Sequence, residues 1–118
     1  MTPNDIARVA HEVNRAYCLA LGDSSHLAWD DASAWQRGSV IDGVRFHLEN
    51  PGASPRAAHN AWFMEKQATG WGYGPVKDAD LREHPCCVSY DELPTEQRAK
   101  GYLFAAVVSA LAKHKGGD

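Results

Sequence analysis

The 118 residues, 44% apolar and 23% charged, suit one domain with a modest core and are not the composition of a disordered chain. A net charge of −3 and a pI near 6.0, with no polybasic run, exclude a protein that holds nucleic acid by neutralising phosphates. The longest apolar stretch, Tyr102 to Leu111, is about half a bilayer span, and Met1 to Asp5 lacks the basic and apolar regions of a signal peptide. No membrane partner and a cytoplasmic location are therefore expected.

Four helices are predicted in chain order. The first opens at Thr2-Pro3-Asn4-Asp5 with a cap residue, a proline at the first helical position and an acid in the first turn. It carries Ile6, Val9, Ala10, Val13, Tyr17 and Leu21 at helical spacing and stops at Gly22. The second starts near Asp31 or Ser33, is expected to place Trp35, Val40, Ile41, Val44 and Leu48 on one face, and ends at Asn50-Pro51-Gly52. The third runs from Ser54-Pro55 through Ala58, Trp62 and Phe63 to Gly70.

Next comes Gly70-Trp71-Gly72-Tyr73-Gly74-Pro75-Val76-Lys77-Asp78, with His84-Pro85-Cys86 close behind. Glycines that admit positive φ and prolines that fix it imply one irregular but ordered shape. In an extended stretch Trp71 and Tyr73 face the same side and form a wall for something flat. Cys86 to Tyr90 reads as a short strand, paired with residues near Trp71 to Tyr73. The fourth helix starts near Pro94-Thr95-Glu96, carries Leu103, Phe104, Val107, Val108 and Leu111, and frays over Lys113 to Asp118. The fold class is thus mainly α, a single small domain of about four helices with a short β-strand pair and an ordered Gly/Pro/aromatic loop.

Three cysteines, two of them adjacent, read as reduced, packed thiols rather than a disulfide framework. With no second Cys/His group at ligand spacing, neither a structural zinc nor any other metal or cofactor is expected.

The two halves resemble one another. Ala10-His11 aligns with Ala58-His59 at an offset of 48, and Trp29-Asp30-Asp31 with Gln36-Arg37 aligns with Tyr90-Asp91-Glu92 with Gln97-Arg98 at an offset of 61. The difference of 13 is about the length of the Trp71 to His84 loop, so the second half reads as the first with that loop inserted. Two pseudo-symmetric helix pairs, with a cleft on the axis between them, are the expectation.

The block His59-Asn60-Ala61-Trp62, Lys66, Gly70-Trp71, Tyr73-Gly74-Pro75-Val76-Lys77-Asp78, His84-Pro85-Cys86, Val88, Tyr90, Leu93-Pro94 and the apolar last helix resembles the RyR domain. This repeat occurs in pairs in ryanodine receptors and as small stand-alone proteins in bacteria and phages. The G-W-x-Y-G-P-x-x-D and H-P-C pieces carry the resemblance, which covers residues 55–111; residues 1–54 resemble the leading part of the stand-alone forms more weakly and read as a degenerate half-repeat within one domain, 1–118. The resemblance implies a two-repeat helical module without catalytic machinery that binds adenine nucleotides between repeats. In that picture Trp62 stacks on a flat ring and Lys66 reaches phosphate. Asn14 stands where the first half would need a second tryptophan, so a two-tryptophan clamp requires Trp29 or Trp35 to substitute, or a homodimer.

Each of these residues also has a structural alternative. Trp62 fits core packing as well as stacking, and Trp71 with Tyr73 fits an anchor for the loop. His59 and His84 suit either a ligand or a backbone carbonyl, and His11, the repeat partner of His59, reads as an ordinary helix histidine. Lys77 pairs with Asp78 or faces an anion, as Arg82 also can. Asp30-Asp31 and Asp91-Glu92 are explained by helix N-termini, and Cys86-Cys87 beside His84 lies in an apolar strand that does not favour a thiolate, so no catalytic residue is assigned. A nucleotide of adenine or ADP-ribose type is the expected ligand, with a phage sponge for an immune second messenger as the sharper form. A protein-interaction or scaffold module is the alternative.

Overall fold

Helix α1 (Pro3–Ala20) begins where Thr2 and Asp5 close a capping box. The Asp5 amide donates to Thr2 Oγ1 at 3.1 Å and the Thr2 amide donates to Asp5 Oδ2 at 2.9 Å. Bonding to Thr2 keeps the Asp5 carboxyl below its ordinary pKa. The helix ends in a Schellman turn: Gly22 takes φ 88° and the Asp23 amide donates to Cys18 O at 2.8 Å. A 3-10 turn, Trp29–Asp31, leads to α2 (Ala34–Glu49), capped by Ser33, whose hydroxyl accepts from the Gln36 amide. Then follow α3 (Pro55–Ala68), β1 (Gly72–Tyr73), β2 (Glu83–His84), a second 3-10 turn at Tyr90–Glu92 and α4 (Thr95–Ala112). The computed structural model describes residues 1–113, so most of the fraying expected of Lys113 to Asp118 lies outside the described residues. The protein is mainly α, and no described helix is long and apolar enough to cross a membrane.

The chain divides into two units, Met1–Ala53 with the chain from Tyr102 onward, and Ser54–Gly101. In the first, Ile6, Ala7, Trp29, Val44 and Val108 form a buried core, with Val40, Ile41, Leu48, Phe104 and Leu111 packed against it. Full burial of each large apolar side chain is worth about 1.5–3 kcal/mol. Three expectations are corrected here. Trp35 is 51% exposed, because nine residues separate it from Val44 and at 3.6 residues per turn that places it about 180° away. Leu21 is exposed because it sits at the α1 C-cap, and the core face of α1 runs instead through Ile6, Ala7, Ala10, His11 and Cys18. Trp29 is only 3% exposed and belongs to the core, so it does not substitute for the missing tryptophan of a clamp.

In the second unit, β1 and β2 pair in parallel, Gly72 with Glu83 and Tyr73 with His84. The strand expected at Cys86 to Tyr90 does not form. Its backbone is used in turns: Cys87 N donates to His84 O, Val88 N to Cys86 O, and Cys86 N to His84 Nδ1. Pro85 brings no amide to a ladder, so the pairing moves upstream to Glu83 and His84.

The halves repeat their internal contacts. Arg8 pairs with Asp30 at 3.3 Å, and Arg56 with Asp91 at 2.7 Å. His11 donates from Nε2 to Leu27 O and His59 from Nε2 to Val88 O, both at 2.7 Å. Gly22 and Gly70 share positive φ, and Asp23 N to Cys18 O is matched by Trp71 N to Lys66 O, each at 2.8 Å. All these pairs obey the offsets of 48 before the connector and 61 after it, which places the extra residues between Trp71 and Val88.

Candidate functional site

Helix α3 projects His59, Trp62, Phe63 and Lys66 from its successive turns, and Gly70 then reverses the chain into the loop. Ser54 caps its start by accepting from the Ala57 amide. Its last carbonyls are closed by the Trp71 amide on Lys66 O and by the Arg82 guanidinium, which donates to Thr69 O at 2.7 Å. Arg82 is the one described non-glycine residue at positive φ, 53°, and that twist aims its side chain back at the helix end.

The loop holds its shape through its own polar groups. Asp78 and Glu83 exchange two backbone hydrogen bonds, while the Asp78 carboxylate accepts from the amides of Asp80 and Leu81. Gly74 is buried against Glu83: a Cβ there would collide with Glu83 Cβ and stand 2.9 Å from its Cδ. Glycine is required at that position by close approach rather than by φ.

These constraints gather aromatic rings and cations. The Lys66 ammonium lies 4.6 Å from the Trp71 ring centroid and 5.9 Å from that of Trp62. The Trp62 ring stands edge-on to His84 at 5.1 Å and tilted to His59 at 5.6 Å. Burial, helped by the nearby charges of Lys77 and Lys66, drives the His84 pKa down to about 4, so this imidazole is neutral near pH 7. Its Nδ1 accepts from Cys86 N, which leaves the proton on Nε2. Lys77 as a residue is exposed, yet its ammonium is crowded enough that desolvation, with the Lys66 charge, lowers its pKa.

A profile of the family described as the RyR domain matches residues 53–111, half of the chain. The chain belongs to the RyR domain family. Within this RyR domain, Trp62, Lys66, Trp71, Lys77 and His84 are brought together, and His59 joins them through its ring while its Nε2 is committed to Val88 O. Three expected site residues stand apart. Tyr73 points outward at 60% exposure, Arg82 is turned to the α3 terminus, and His11 is buried in the other unit, bonded to Leu27 O and edge-on to Trp29.

Sequence reasoning missed Cys87, buried and within electrostatic reach of Lys66, and Tyr90, which packs on His59 and lies 4.7 Å beneath the Arg56 guanidinium. The repeat offset carried the signal for Tyr90, since Trp29 occupies the same place beside His11. Burial raises the Cys86 and Cys87 thiols above their ordinary pKa, so neither is poised as a thiolate nucleophile.

Proposed function

We propose that this RyR domain is a non-enzymatic binding module for a small nucleotide of adenine or ADP-ribose type. The observation that carries the reading is the Lys66 ammonium within cation–π reach of both the Trp62 and Trp71 rings, with Lys77 close by. A base stacks on an indole face, the two ammonium groups meet phosphate, and His84 offers a neutral Nε2–H donor to ribose or phosphate oxygen. The raised thiol pKa values support a site without a nucleophile. In its sharper form, the domain acts in the cytosol of a phage-infected cell as a sponge for a nucleotide second messenger of host immunity, such as a cyclic ADP-ribose isomer. With Asn14 in the place equivalent to Trp62 and Trp29 in the core, the candidates left for the second tryptophan of a clamp are the exposed Trp35 and a second copy of the chain in a homodimer.

Thermal shift with ATP, ADP-ribose, cyclic ADP-ribose isomers and cyclic dinucleotides tests this. A ligand at 100-fold its Kd stabilises by about 2.7 kcal/mol. Trp62→Ala is expected to abolish the shift while the domain remains folded, and the nucleotide should be recovered unchanged after release. No shift with any of them overturns the reading. Exposed Tyr73, Val76 and Leu81 on the loop favour a second reading as a protein-interaction module, for which Trp62→Ala leaves partner capture intact and Leu81→Asp removes it.

A further inference from the structure

Outside that site, one group of donor atoms stands out in the first unit. Cys18, Asp23 and His26 place a thiol sulfur, a carboxylate oxygen and an imidazole nitrogen within 4.8 Å of one another. The spacing C-x4-D-x2-H matches no common zinc motif, but the turn that ends α1 folds the three together. Gly22 at φ 88° reverses the chain, the Asp23 amide bonds Cys18 O, and the Ser25 amide and hydroxyl both donate to Asp23 Oδ1, at 2.9 and 2.6 Å. Asp23 Oδ2 lies 3.6 Å from His26 Nε2.

We propose that the turn closing α1 is a binding site for a divalent ion of the zinc class, held by Cys18 Sγ, the Asp23 carboxylate and the His26 imidazole, with water in the fourth position. A tetrahedral zinc with bonds near 2.0–2.3 Å separates such ligand atoms by about 3.3–3.6 Å, so the present spacing needs a contraction of roughly an ångström. The Asp23–His26 separation already has that value. Ser25 orients the carboxylate from behind, as outer-shell partners do in zinc sites. The thiol sets the class of ion, since sulfur selects zinc-like metals over magnesium or calcium. As the sulfur–metal bond forms, Cys18 gives its proton to the buffer, while carboxylate and neutral imidazole contribute lone pairs.

The second half supplies an independent parallel. By the offsets of 48 and 61, Cys18, Asp23 and His26 correspond to Lys66, Trp71 and Cys87. There a cation, the Lys66 ammonium, sits at the same corner, 4.6 Å from the Trp71 ring and within reach of the Cys87 thiol. The first half has metal-donor atoms at those positions, with Cys18 in place of the lysine cation.

Cobalt(II) titration of the tag-free full chain under reducing conditions tests the assignment. Expected are a thiolate-to-cobalt charge-transfer band and tetrahedral d–d bands that saturate at one ion per chain and vanish with zinc. His26→Gln and Asp23→Asn, both checked for folding by circular dichroism, should each weaken cobalt binding by at least the ~10-fold typical of losing even an outer-shell partner. Absence of a thiolate band in the wild type overturns the proposal. So does a band of unchanged intensity and midpoint in both variants, which would mean that Asp23 and His26 do not hold the ion.

Discussion

Lowering the pH should destabilise the fold by protonating His84. In the folded chain its pKa is about 4 against an ordinary 6.5, with burial as the main cause and Lys77 and Lys66 adding to it. The unfolded chain therefore binds more protons between those values, and stability must fall as pH drops below about 6.5 and level off below about 4. The fall from 6.5 to about 4, at about 1.36 kcal/mol per tenfold change in proton affinity, gives a limit of about 3 kcal/mol, and about 2 kcal/mol at about pH 5. Because the ring is partly open to water, screening brings the expected loss at that pH to roughly 1–2 kcal/mol. Urea unfolding of wild type and His84→Asn at about pH 7.5 and about pH 5 isolates the effect. The Asn oxygen can accept the Cys86 amide without titrating, and the comparison cancels His47, whose pKa burial also lowers. Equal pH dependence in the two proteins, or an NMR titration placing His84 near 6.5, refutes the reasoning.

Gly74→Ala should cost about 1–3 kcal/mol in urea unfolding, because the new methyl meets Glu83 Cβ and that atom is fixed by the Asp78–Glu83 backbone pair; an unchanged midpoint would contradict it. His11→Ala and His59→Ala each strip the hydrogen bond from a loop carbonyl, at about 1–3 kcal/mol, with the larger loss at the more deeply buried His11. If both resemble an exposed histidine substitution, the shared role is wrong. Lys66→Met keeps an apolar stem over the two indoles while removing the charge, so nucleotide affinity should fall roughly tenfold or more with little change in stability. The same change raises the His84 pKa, a direction NMR can check.

The helix starts were legible because they rest on local chemistry: Thr2 with Asp5, Ser33 and Ser54 each act within three residues of themselves. The repeat was legible too, since Arg8, His11 and their partners recur as residues. What the sequence hid depends on contacts across the loop. Cys86 to Tyr90 has strand composition, yet the His84 ring captures the Cys86 amide and bends the segment away. Arg82 reads as a free cation until its positive φ turns it onto Thr69 O. Trp35 has the composition of a core residue, yet the helical rotation over the nine residues to Val44 carries it to the opposite side of α2.

The equivalent helix-ending turns make the chain its own reference experiment. One backbone frame, fixed in both halves by an Arg–Asp pair, a histidine on a carbonyl and a glycine reversal, carries two different sets of chemistry. Side chains can therefore be exchanged between corresponding positions, Cys18 with Lys66 or Asp23 with Trp71, with the backbone as a constant. Such reciprocal grafts would separate what the frame demands from what each half has acquired, and would do so inside a single polypeptide.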